Sequence, residues 1–180
     1  MKRLYLIGGT MGVGKTAVCQ ALKLKLPNSV FLDGDWCWDS HPFTVTAETK
    51  KMVIENICFL LNQFIHCTAY ENIIFCWVMR EQSIIDTILS RLDTTNCEAK
   101  TVSLICNEAA LRERLSKDIA AGKRQPDIID RSLARIPLYN QLRTIKIDAT
   151  GKTVSEITEE LARIYTRGRL PKESTPDLFA

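Results

Sequence analysis

The octet Gly9-Thr10-Met11-Gly12-Val13-Gly14-Lys15-Thr16 constrains this chain most, because it meets the pattern G-x-x-x-x-G-K-[ST] at every fixed position. Its flanks matter as much as the pattern. Before it, Arg3-Leu4-Tyr5-Leu6-Ile7 is a short apolar run closed by glycines, which reads as a buried strand. After it, Val18, Leu22 and Leu26 recur at helical spacing from Lys15 to about Lys25, until Pro27-Asn28 stops the element. A glycine-rich turn between strand and helix curves backbone N–H groups around an anion, and the helix adds the positive end of its dipole. Nucleotide phosphate suits that cradle. Lys15 is placed to reach the β- and γ-phosphates, and the Thr16 hydroxyl to ligate Mg2+. A chance glycine turn with a solvated lysine is the alternative, and the strand-to-helix setting argues against it.

The remaining elements alternate. Ser29 to Leu32 reads as a second strand ending at Asp33-Gly34-Asp35, and residues 36 to 46, with Trp36, Trp38, His41 and Pro42, lack periodicity and read as a loop. A helix of about 47 to 67 follows, its apolar face formed by Met52, Val53, Ile57, Leu60, Leu61 and Phe64. Asn72 to Met79 is the clearest buried strand, Gln82 to Leu92 its crossover helix, and Ala99 to Cys106 a fourth strand. Asn107 caps a helix from Glu108 to Ala121, which Gly122 terminates. A charged connector, 123 to 127, leads into a helix of about 127 to 141 with a kink at Pro137, a fifth strand from Thr144 to Asp148, and a last helix from Val154 to Tyr165. Such alternation implies right-handed crossovers and a parallel sheet with helices on both faces, a three-layer α/β domain. The expected domain covers 1–167; the tail 168–180, with Pro171 and Pro176, reads as disordered.

Composition narrows the partners. A net charge of +3, from 24 basic and 21 acidic residues, is too small for general nucleic-acid or membrane-surface binding, so any basic site must be local. Seven cysteines without a CxxC pair, and two histidines, give no zinc spacing. Most of the cysteines sit in apolar runs and read as core thiols of a reducing compartment. No run reaches the ~18 apolar residues of a membrane span and none resembles a signal peptide, so the expected location is cytoplasmic.

Several side chains could complete a site around the loop. A carboxylate at the end of the second strand lies in the crevice where open α/β sheets bind ligands, which makes Asp33 and Asp35 candidates; the pair could equally just form a turn. Arg80, directly after the third strand, is placed to clamp an anionic acceptor or phosphate, or to be a solvated surface arginine. Trp36 and Trp38 could stack on a flat acceptor or cover the core. Segment 112 to 135 carries seven basic residues against four acidic ones. Of these, Arg112, Arg114 and Lys117 read as a solvated, salt-bridged helix face.

With these residues the chain resembles the small P-loop kinases of the nucleoside-monophosphate kinase superfamily, especially the shikimate, gluconate and chloramphenicol-phosphotransferase branch, over about residues 2 to 165. The resemblance implies a P-loop NTPase fold with a five-stranded parallel sheet, a small helical lid at about 112–135 and an acceptor region at about 36–70. It implies ATP and Mg2+ as cofactors, and γ-phosphoryl transfer to a small-molecule hydroxyl or phosphate. It makes Asp35 the base, Asp33 a contact to Mg2+-bound water or substrate, and Arg124 and Arg131 lid arginines over the transferred phosphate, with Arg135 a further candidate. Asp148 to Thr153 falls where the family's adenine-contacting loop lies. One departure is clear: Phe75-Cys76-Trp77-Val78-Met79-Arg80 ends its strand without the Asp of a Walker B motif. That weighs against a motor or GTPase and shifts Mg2+ binding onto Thr16, Asp33 and water. Gly151-Lys152-Thr153 lacks the upstream glycine of the phosphate pattern and reads as a turn. Two other functions remain open, a nucleotide-binding switch without transfer and a kinase of polynucleotide 5′-hydroxyls. The acceptor itself could be a sugar acid, a nucleotide or an aromatic drug.

Overall fold

The structure, a computed structural model, describes residues 1–165; the expected tail and the last two residues of the expected domain lie outside them. Five strands, β1 (Lys2–Gly9), β2 (Ser29–Asp33), β3 (Asn72–Cys76), β4 (Cys97–Ile105) and β5 (Ile145–Asp148), form one parallel sheet in the order β2-β3-β1-β4-β5. The central strand β1 pairs with β3 from Arg3–Asn72 to Ile7–Cys76 and with β4 from Lys2–Cys97 to Gly9–Leu104. β2 and β3 therefore lie on one side of β1, and β4 and β5 on the other. That reversal opens a crevice at the carboxyl end of β1, where the phosphate loop begins.

Period-two alternation divides the core between the two faces of the sheet. Tyr5, Ile7, Ile74 and Cys76 face α1 (Lys15–Lys25), α4 (Glu108–Ala120), α5 (Ile128–Leu133) and α7 (Val154–Arg163), which contribute Val18, Leu22, Leu111, Leu115, Ile128, Ile157 and Leu161. Leu4, Leu6, Ile73 and Phe75 face α2 (Ala47–His66), α3 (Gln82–Ser90) and α6 (Ile136–Gln141), through Val53, Ile57, Leu61, Ile85, Ile88 and Tyr139. The arrangement is the expected three-layer α/β fold. Each fully buried Leu or Ile contributes about 1.5–3 kcal/mol relative to exposure.

Three expectations change. The helix expected over 127 to 141 is two helices, α5 and α6, broken at Ala134-Arg135. Pro137 has no N–H to donate and would clash with the carbonyl one turn back, whereas in the first turn of α6 it is accommodated without loss. On α2 the buried stripe is Val53, Ile57, Cys58, Leu61 and Ile65, and Met52 is left 42% exposed. β3 stops at Cys76 instead of Met79; the Trp77 N–H still donates to the Ile7 carbonyl, and Trp77 and Met79 are buried by packing without further pairing. All seven cysteines are free, and all but Cys67 are buried. No helix among the described residues is long and apolar enough to cross a membrane.

Candidate active site

The phosphate loop joins β1 to α1. Gly12 adopts φ +83°, and a Cβ there would lie 2.4 Å from Leu115 Cδ2, so only glycine lets the loop pack on α4. Gly14 occupies the N-cap of α1 and offers no side-chain cap, which leaves the first-turn amides available to an anion. Lys15 Nζ donates to the carbonyls of Gly9 (2.9 Å) and Thr10 (3.2 Å). Burial lowers its pKa, and the nearby Asp35 and Asp33 charges oppose that shift.

Facing the loop is the end of β2. Thr16 Oγ1 donates to Asp33 Oδ2 at 2.8 Å, the Cys76 thiol lies 3.5 Å from the same oxygen, and Asp33 Oδ1 accepts the Asp35 N–H at 3.1 Å. Asp33 is thus buried with both oxygens engaged, and it caps the short 3-10 turn Gly34–Cys37. The Asp-Gly-Asp segment forms the turn, and it faces the phosphate loop. A Cβ on Gly34 would sit 2.5 Å from Trp77 Cγ, so the glycine lets the indole lie against the turn. Trp77 Nε1 then donates to Asp35 Oδ1 at 3.0 Å. Burial and the Asp33 charge raise the Asp35 pKa, against the opposing pull of Lys15 and of the Trp77 hydrogen bond.

Two cavities meet at this point. The first, about 620 Å³, is floored by the phosphate loop and walled by Arg114, Asp118 and Arg124 on one side and Lys152 to Val154 on the other. The second, about 690 Å³, is lined by Trp38, Phe43 and Trp77 together with Arg80, Arg131 and Arg135. Met11, Asp35 and Val78 line both. A carboxylate whose pKa is pushed up therefore stands on the wall common to a phosphate cradle and a neighbouring pocket.

Lys15, Thr16, Asp33 and Asp35 are brought together as the sequence suggests. The two lid candidates separate: Arg124 lines the first cavity, paired with Asp118 at 3.2 Å, and Arg131 lines the second, paired with Asp127 at 3.1 Å. Arg80 and Arg135 also reach the second cavity, and burial with the Arg80 charge lowers the Arg135 pKa. Trp36 lines neither cavity; it is 56% exposed and meets Phe31 edge-on. Trp38 packs against the core and also lines the second cavity, with its ring edge-on to Phe43 and Trp77 at 4.9 and 5.9 Å.

Arg114 corrects the sequence reading. Instead of forming a solvated salt bridge, it donates to the carbonyls of Val13 (3.0 Å) and Ala149 (2.6 Å), tying the phosphate loop to the segment after β5. The signal was present: buried Leu111 lies three residues before it and buried Leu115 directly after it, so Arg114 borders the inward face of α4. Trp77 and Phe43 were missed because one lay inside an apolar run and the other in a loop without periodicity. Gly151 adopts φ +67° and Thr153 caps α7 in a reciprocal capping box with Glu156, so the second Gly-Lys-Thr is a turn and a cap. For a metal, the hydroxyl and buried carboxylate of Thr16 and Asp33 are hard oxygen donors that fit Mg2+. Among the described residues no cluster of three or more His, Cys, Asp or Glu could hold a metal alone, so water and phosphate oxygens would complete such a site.

A parallel sheet of this order, a phosphate loop at the end of its central strand and an acid opposite define a P-loop nucleotide-binding protein of the small-kinase type. The chain belongs to the AAA domain family, whose pattern matches residues 6–135. A shikimate kinase from Bacillus cytotoxicus is 27% identical over 172 residues, spanning 91% of this chain and 98% of that protein. The fold matches a gluconokinase from Sinorhizobium meliloti with a TM-score of 0.63 at 20% identity, covering 92% of this chain and 97% of that one. It matches the tunicamycin resistance protein of Deinococcus radiodurans with a TM-score of 0.67 at 20% identity, covering 94% and 98%.

Proposed function

We propose that this protein is an ATP-dependent phosphotransferase that moves the γ-phosphoryl group onto a hydroxyl or phosphate of a small molecule held in the second cavity. The observation that carries the reading is the position of Asp35 on the wall shared by both cavities. The shikimate kinase and gluconokinase likenesses support the same chemistry.

In this reading Lys15 leaves its two loop carbonyls for the β- and γ-phosphate oxygens, and the α1 amides hold the phosphates in line. Thr16 and Asp33 would hold Mg2+, which when bound supplies charge neutralisation between the phosphates. Asp35 accepts the proton of the acceptor hydroxyl as its oxygen bonds to the γ-phosphorus and the bond to the β-phosphate oxygen breaks, releasing ADP. A raised pKa brings Asp35 nearer to the operating pH, which suits a base. Arg124 exchanges Asp118 for the transferring phosphoryl group, and a cation so placed is worth ~10³ in rate or more. The buried free thiols suit a reducing compartment such as the cytoplasm.

Acceptor-dependent ADP release is the test. Lys15→Met and Asp35→Asn should each lower kcat by ~10² or more with the fold intact by circular dichroism. Full turnover by Asp35→Asn would remove it as the base, and nucleotide binding with no transfer across a broad acceptor screen would favour a switch.

A further inference from the structure

The second cavity has an uneven chemistry. Its wall beside Asp35 is aromatic and aliphatic, formed by Trp38, Phe43, Val45, Ile54 and Trp77. Its other polar side chains are all fully charged types; no Ser, Thr, Asn, Gln, His or Tyr lines it among the described residues. The charged groups can each hydrogen-bond a hydroxyl, but the aromatic wall offers polar partners only at its indole N–H groups, and the one on Trp77 is already given to Asp35, so hydroxyls of a polyhydroxylated acid turned to that wall go unpaired. A flat ring would instead lie against Trp38 and Phe43 in contacts these side chains already make with each other.

Cations outnumber acids in the cavity, with Lys50, Arg80, Arg131 and Arg135 against Asp35, Asp39 and Glu81. Arg80 and Arg135 are both half-buried there, and each lowers the cost of binding an anion for the other, since they repel while the site is empty. Arg80 has one exposed acid beside it, Glu81, bonded through Nε alone, so its terminal nitrogens remain free for a planar anion. Phe43 and Val45 are 59% and 51% exposed on the loop after the 3-10 turn, an apolar surface that an occupant would cover.

We infer that the acceptor is a hydroxyl-bearing anion with a flat apolar body: its ring lies against the Trp38–Phe43 pair, its carboxylate or phosphate meets Arg80 and Arg135, and its hydroxyl points at Asp35. The inference rests on the phosphotransfer reading for the direction of the hydroxyl, and it separates this chain from the polyol acids named for its relatives.

The experiment compares 4-(hydroxymethyl)benzoate with benzyl alcohol, shikimate and gluconate, by tryptophan fluorescence titration without ATP and by ADP release with ATP and Mg2+. The aromatic acid should quench saturably and give a kcat/KM ~10-fold or more above the other three, because either half of the recognition alone is worth about that factor. Phe43→Ala, at an exposed position where folding is not at risk, and Arg135→Gln should each weaken its binding ~10-fold. Transfer to shikimate or gluconate as efficient as to the aromatic acid would overturn the inference and leave the phosphotransferase standing. So would the absence of saturable quenching by the aromatic acid. Binding that depends on Phe43 and Arg135 without ADP release would uphold the flat anionic body and overturn the placing of its hydroxyl at Asp35, while phosphotransfer itself stands or falls by the broader acceptor screen.

Discussion

Trp77→Phe isolates one hydrogen bond at the proposed base. The indole Nε1 lies 3.0 Å from Asp35 Oδ1, and its N–H stabilises the charged carboxylate more than the neutral acid. Phenylalanine keeps an aromatic ring against Gly34 and Trp38 but removes the donor. A hydrogen bond to a charged group contributes about 1.5–3 kcal/mol when buried; Asp35 is open to water on its cavity side, so about 1 kcal/mol is the appropriate figure. At 1.36 kcal/mol per pH unit that is a rise of about 0.7 in the Asp35 pKa. The base works deprotonated, so the acid limb of the kcat/KM profile should move to higher pH by that amount, with the plateau above pH 8 little changed. Steady-state ADP release from pH 5 to 9 measures it. Lost packing alone lowers the plateau and leaves the limb in place; an unmoved limb would refute Asp35 as the group that titrates.

The loop geometry predicts that Gly12→Ala destabilises by about 2–4 kcal/mol in urea unfolding, because left-handed backbone and overpacking against Leu115 add together. Combining it with Leu115→Ala should cost less than the sum of the two single changes. Arg114→Ala should raise the KM for ATP ~10-fold, since two charge-assisted bonds that shape the nucleotide cavity are lost, while Arg112→Ala, exposed on the same helix, should leave it unchanged. Thr16→Ala should raise the Mg2+ concentration for half-maximal activity ~10-fold or more, read by a metal titration at fixed ATP.

What sequence could reveal followed from how local its cause was. The phosphate loop, the Asn107 cap and the Gly122 stop depend on residues within a turn of one another, and they stand where the pattern places them. The sheet was legible because buried parallel strands are nearly unbroken apolar runs. The same rule misled at β3, where the apolar run continues to Met79 although the strand ends at Cys76 and the Trp77 N–H makes the last bond to β1. The break before Pro137 needed the competition between a kink and a new helix start, which local sequence does not decide. At the site, Lys15, Thr16 and the two aspartates were readable from motif and strand end. The link from Trp77 to Asp35 joins positions 42 residues apart, and nothing local signals it. Arg114 was misread because charge outweighed its place beside Leu111 and Leu115.

The missing acid at the end of β3 takes on a different meaning once register is considered. Asp33 and Cys76 are paired across β2 and β3, so a carboxylate on β2 stands beside the position where a Walker B aspartate would be. From there it still reaches the Thr16 hydroxyl at 2.8 Å. An aspartate at 76 as well would set two carboxylates against each other in a buried space, where one of them would have to stay protonated. The Cys76 side chain avoids that conflict: it is small, neutral and able to offer a weak hydrogen bond to Asp33 Oδ2. Acid and thiol thus make one arrangement, in which the carboxylate opposite the phosphate loop is held on β2 with a neutral neighbour on β3. Asp35, two residues on from Asp33 in the turn that Asp33 caps, lies at the boundary between the cavities, so one strand end carries both the acid beside Thr16 and the proposed base.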